Sequence, residues 1–182
     1  MHPQLQQVEQ ELRDATARLR ALEAAAPAAR WFDRPAPERW SVAECVAHLS
    51  LTNRAFLPLL DGALAQARHA GRPAPRRYRR DLAGWLLAHS VEPPARMRVT
   101  TTAAFVPRAS RPASELVAEF VALQDELAAR VRAADGLPIQ AVTVVSPFNA
   151  SVRYSAWSAL TIITAHERRH LWQAEEAWRA LA

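Results

Sequence analysis

His166 and His170 stand one helical turn apart in the segment His166-Glu167-Arg168-Arg169-His170, and a third histidine, His48, stands far upstream behind Trp40, Ser41 and Glu44. On a helix, residues i and i+4 share a face with Cβ atoms about 5–6 Å apart, close enough for two imidazoles to bind one ion. Neutral imidazole ligates Zn²⁺ and also suits Ni²⁺, Fe²⁺ and Cu²⁺, so the residue types indicate a divalent metal without choosing it. A water on such an ion has its pKa drawn toward about 7, and a thiol is deprotonated outright. Hydrolysis and thiol transfer therefore both lie within the chemistry of these side chains.

The segment also matches HExxH, in which two histidines hold zinc and the glutamate is a general base. The extended form of that motif needs glycine and histidine where this chain has Gln173 and Glu176, and little chain follows for a downstream glutamate ligand. The third ligand is expected from upstream, with His48 the candidate because it follows a well-marked helix start. Glu167 projects within the stripe of Leu160, Ile163, Ala174 and Trp178, where a carboxylate needs a partner. It is the candidate catalytic residue, a proton acceptor beside the metal, with a structural hydrogen bond or an arginine ion pair as the alternative. Glu44 has a ready role in a helix cap, Cys45 reads as a small buried apolar residue, and His2, His69 and His89 have no partner at useful spacing.

The elements that must position these groups are helical. Leu5, Val8, Leu12, Ala15, Leu19 and Leu22 recur at spacings of three and four and predict a first amphipathic helix, which Pro27, Pro35 and Pro37 separate from the next. Ser41-Val42-Ala43-Glu44 has the form of a capping box, so a second helix starts there and runs to about His69, with Pro58 as a place for a kink. Residues 71–112 hold Pro73, Pro75, Pro93, Pro94, Pro107 and Pro112 around one short helical segment, Leu82 to His89. A third long helix is expected over Ala113 to Ala134, stopped by Gly136-Leu137-Pro138, and a fourth from Tyr154 onward carrying His166 and His170. Between them, Val142-Thr143-Val144-Val145 is β-prone, but Pro147 and the lack of a visible partner favour an extended connector over a sheet.

With 182 residues, half of them hydrophobic, and four glycines, the chain reads as one all-α domain over 1–182. No run of about 18 apolar residues is present and the first residues lack a signal-peptide pattern, so a soluble, cytoplasmic protein without a membrane partner is expected. The single cysteine excludes an internal disulfide framework. The net charge of +5 invites nucleic-acid binding, yet most basic residues alternate with acidic ones on helix faces; the exception is the cluster Arg72, Arg76, Arg77, Arg79 and Arg80 around Tyr78. That loop is expected to be solvated or to hold an anionic cosubstrate, with nucleic acid ranked last among the partners.

The pattern Trp40-Ser41-x-x-Glu44-x-x-x-His48-Leu49, followed by a terminal His166-x-x-x-His170-Leu171-x-Gln173, resembles the DinB-like (YfiT-like) superfamily of metal-binding four-helix bundles. The resemblance spans nearly the whole chain. It implies an antiparallel four-helix bundle; the proline- and arginine-rich insert over residues 71–112, between helices two and three, is where this chain departs from the family pattern, and it is expected to form a distinctive wall of the pocket. The resemblance also implies that His48, His166 and His170 ligate a divalent metal, zinc or nickel first and iron or manganese next. Characterised relatives include S-transferases that use a low-molecular-weight thiol cosubstrate, so a metal-dependent thiol transferase or hydrolase acting on a small molecule is implied, with a homodimer as an expected assembly. The alternative is a non-catalytic metal-binding module in a stress response.

Overall fold

The computed structural model describes residues 1–94, 101–108 and 110–181. Five helices dominate: α1 (Pro3–Ala25), α2 (Val42–His69), α3 (Leu82–Val91), α4 (Ala113–Ala133) and α5 (Ala156–Arg179), with strands β1 (Thr143–Val145) and β2 (Arg153–Ser155) preceding α5. The expected stripe of α1 is its buried face, from Leu5 to Leu22. The α2 start follows from its cap: Ser41 Oγ accepts from the Glu44 amide at 3.2 Å, and the Glu44 carboxylate accepts from the Ser41 amide at 2.9 Å. Trp31, fully buried, holds the approach by donating its indole N–H to the Ala26 carbonyl while its own carbonyl accepts from the Ala43 amide. Past α4 the chain turns at Gly136, whose φ of 76° lies in the left-handed region that glycine adopts without strain.

Helices α1 and α2 each pack on both α4 and α5, and α3 lies against α5. Arg18 with Glu175 and Arg168 with Glu11 show α1 and α5 running in the same direction; Arg54 with Glu119 and Arg130 with Asp61 show the same for α2 and α4. The pairs refine the expected antiparallel arrangement: α2 and α4, consecutive among the long helices, run parallel to each other. The approach of α3 to α5 depends on Gly84, because a Cβ there would stand 2.2 Å from the Ser158 side chain.

The connector before α5 corrects the sequence reading. Residues 143–145 pair antiparallel with 153–155, Val144 opposite Tyr154, in a short two-stranded sheet. The partner strand was hidden because Tyr154 and Ser155 read as the beginning of the last helix, which instead starts at Ala156 with Ser155 as its N-cap. Pro147 falls in the turn, where it removes no ladder bond.

Buried apolar side chains form two clusters rather than one. The first joins Leu12, Phe56, Leu123 and Ala165 with their neighbours toward the α5 N-terminus, and the second joins Ala15, Leu49, Phe120 and Leu171 with theirs. On each of α2, α4 and α5, buried polar residues sit at the break: Asn53, Gln124, and the group His166, Glu167 and His170. This polar layer contains the candidate site. Among the described residues no helix is long and apolar enough to cross a membrane.

Candidate metal centre

His48 sits in the second turn of α2, and its orientation is set from outside its own helix. Its Nδ1 lies 2.8 Å from the carbonyl oxygen of Phe105, in a short turn over Ala103–Phe105 of the insert. A carbonyl only accepts, so Nδ1 carries the proton and Nε2 presents a lone pair. That Nε2 lies 3.3 Å from Nε2 of His166. The ring of His170 lies 4.5 Å from that of His48 and 4.4 Å from that of His166, centroid to centroid. One ligand atom from each of the three histidines falls within 4.8 Å of the others. The structure thus brings together residues 48, 166 and 170.

The donor set fits a divalent ion on three counts. Two nitrogens on a tetrahedral zinc at about 2.0–2.1 Å stand roughly 3.3–3.4 Å apart, the separation of the two Nε2 atoms. A ligating histidine commonly donates its other ring N–H to a carbonyl, as His48 does to Phe105. Nδ1 of His170 is buried with no hydrogen-bond partner among the described residues, an opening that a bound ion or water can fill.

All three imidazoles are held neutral, the form that ligates. Burial lowers the pKa of His48, with the Phe105 carbonyl opposing it. Burial, His48 and Arg169 lower His166 to about 3, and burial followed by His166, His48 and Arg169 takes His170 well below its ordinary value, against the pull of Gln173. Trp40 lies against the rings of His48 and His170, and Phe148 lies against His166 and Phe105. The aromatic collar leaves His166 and His170 9% and 8% exposed, so a small molecule has a narrow approach.

Glu167 turns to different neighbours. Its Oε1 accepts from Asn53 Nδ2 at 2.7 Å and Gln124 Nε2 at 2.5 Å, and Oε2 has no partner among the described residues. Burial raises its pKa to about 7, against those two hydrogen bonds and Arg168. The sequence reading foresaw that this carboxylate needs a partner but missed both amides. Their signal was present: Asn53 falls on the stripe Leu49, Phe56, Leu60, and Gln124 falls beside Phe120, Leu123 and Leu127, polar residues at apolar positions. Glu44 is occupied by the cap and by Arg34, and Cys45 is buried with its thiol pKa pushed up by burial.

The arginine-rich loop does not reach the histidines. Tyr78 at its middle stacks on Trp157, which precedes His166 by nine residues, roughly 14 Å along the axis. Among the described residues of the insert, the Ala103–Phe105 turn walls the centre, through the Phe105 carbonyl on His48.

A mostly helical chain that gathers three neutral histidines from two helices into a buried cluster compatible with metal binding is the class of protein defined here. The DinB superfamily matches residues 7–174, and the chain belongs to it. No curated protein and no solved structure matches the chain.

Proposed function

We propose that the protein is a metal-dependent enzyme, with His48, His166 and His170 as the ligands, that activates a small thiol, or alternatively water, for attack on a small electrophile. The observation that carries this reading is the facing pair of Nε2 atoms, 3.3 Å apart, with the far nitrogen of His48 already committed to Phe105. A divalent ion held there supplies Lewis acidity that favours the deprotonated nucleophile. The chain's own contributions are distinct. His48 is locked in the ligating tautomer, and Trp40, Phe105 and Phe148 exclude bulk water, which strengthens electrostatic interactions inside the collar. In thiol transfer the S–H bond gives up its proton, sulfur forms a bond to the electrophilic carbon, and the leaving group departs with the bonding pair. Glu167 is the residue this reading assigns to proton handling, at the Oε2 that neither amide occupies.

The test is metal-dependent turnover of a low-molecular-weight thiol with an alkylating electrophile, alongside an ester panel. Turnover that needs the metal and disappears in His48→Ala, with an altered pH profile in Glu167→Gln, is expected. The triad also ties α2 to α5, which favours a purely structural ion as the second reading. A large loss of melting temperature on chelation with no turnover in either panel selects it.

A further inference from the structure

A second concentration of chemistry lies at the other end of the polar layer's helices, where the loop before α3 meets the start of α1. Arg72, Arg76, Arg77, Arg79 and Arg80 fall within nine residues and are all exposed. None makes a salt bridge among the described residues, whereas Arg18, Arg54, Arg111, Arg130, Arg132 and Arg168 each have a carboxylate partner.

The backbone that carries them is pinned from both sides. His2 Nδ1 accepts from the Gln4 amide, which leaves the Nε2–H to donate to the Arg76 carbonyl at 3.3 Å. The Gln4 side chain exchanges two hydrogen bonds with the Tyr78 backbone, and Gln140 Oε1 accepts from the Arg79 amide. The Tyr78 ring is buried against Trp157 and its hydroxyl donates to the Leu137 carbonyl at 2.7 Å. Every one of these bonds uses backbone or uncharged groups, so the guanidiniums remain uncommitted on a fixed frame. Arg76, Arg77 and Arg79, together with His2, Gln4 and Gln7, line a shallow, open cleft of about 800 Å³. The first turn of α1 holds no acidic residue, and the nearby Asp135 carboxylate is taken up by the His2 amide and the Met1 ammonium, away from the guanidiniums' own bonds.

We propose that this cleft is a binding site for a small polyphosphate-bearing anion, separate from the histidine centre. Guanidinium forks match phosphate oxygens in bidentate geometry, and three of them around one cleft suit several linked phosphates better than one carboxylate. The cleft volume falls within the range of small-molecule sites. Tyr78, the aromatic ring of the loop, is buried, so no ring of the loop offers a base a stacking surface and recognition rests on the phosphates. A nucleic-acid strand needs cations spread along a path, whereas here they converge on one concavity.

The test is calorimetric titration of the metal-free full chain with inorganic tripolyphosphate, inorganic phosphate and single-stranded oligonucleotides of increasing length. Tripolyphosphate is expected to bind more tightly than phosphate, to weaken with added salt, and to lose about tenfold or more in affinity in the triple variant Arg76→Ala, Arg77→Ala, Arg79→Ala. The corresponding triple lysine variant, which keeps the charge without the forks, should fall between. His48→Ala should bind as the parent does, because the two sites are separate. Equal affinity in the triple alanine variant, loss of binding in His48→Ala, or affinity that grows with oligonucleotide length and exceeds that of tripolyphosphate would each overturn the assignment.

Discussion

Two polar groupings meet α5, and they are finished in opposite ways. Near its N-terminus, Asp81 caps α3 by accepting from the Gly84 amide at 2.8 Å, while its other oxygen accepts from the Ser155 amide at 2.7 Å and the Ser158 hydroxyl at 2.9 Å. Ser158 in turn is bonded to Ser155. Here each polar atom has its partner, and the result is a joint between two helices. Ten residues further along α5, the histidines converge nitrogen on nitrogen, and Nδ1 of His170 has no partner among the described residues. A completed set of hydrogen bonds stabilises what it joins, whereas an incomplete one costs desolvation without return until a ligand completes it. The contrast is between a finished joint and an open cluster on the same helix.

The largest effect should come from completing the open set. A divalent metal in about thousandfold excess over its Kd should raise unfolding free energy by about 4 kcal/mol in denaturant titrations, and chelator should remove the gain. A gain that persists in the triple histidine-to-alanine variant would break the contrast. Next, Asp81→Ala should cost about 2–3 kcal/mol through a lost cap and two lost hydrogen bonds, with metal affinity unchanged. This joint also has a pH signature. Desolvation opposes it, but hydrogen bonds from Gly84, Ser155 and Ser158 lower the Asp81 pKa to about 2 from its ordinary 3.8. A depressed carboxyl pKa gives stability that is present above the unfolded value and lost as pH falls toward the folded one. Acid titration should therefore show parent and Asp81→Asn converging between those two values. Ser41→Ala should cost about 1 kcal/mol by opening the α2 cap, again without moving metal affinity. The smallest change belongs to the open set: in metal-free protein, His170→Leu should alter stability by less than about 1 kcal/mol, because an unpaired buried nitrogen leaves with its ring. A loss as large as that of Asp81→Ala would place His170 among the structural residues.

What was legible in the chain follows the range of the interactions. The α2 start was readable because a capping box is complete within four residues, and the α1 face because its period is local. Histidines 166 and 170 announced themselves by spacing, but the partnership with His48 rested on the wider pattern with Trp40, Ser41 and Leu49. The Phe105 carbonyl that fixes the His48 tautomer was invisible, since it depends on the route of the insert and any residue type supplies a carbonyl. The Asp81 joint was equally hidden: its serines lie more than seventy positions away, in a stretch where the strand of the hairpin reads as helix. The family resemblance gave the site its frame, while Asn53 and Gln124 were marked in the sequence only as polar residues on apolar stripes, and their meeting at Glu167 required the packed core.

The most direct test is metal stoichiometry with coordination read by X-ray absorption, on the parent and on His48→Ala. One ion per chain in the parent, with a nitrogen-rich shell showing imidazole scattering, and little or no ion in the variant is the result predicted. Undiminished binding in His48→Ala, or a shell without imidazole, would contradict the meeting of α2 and α5 around a common ion.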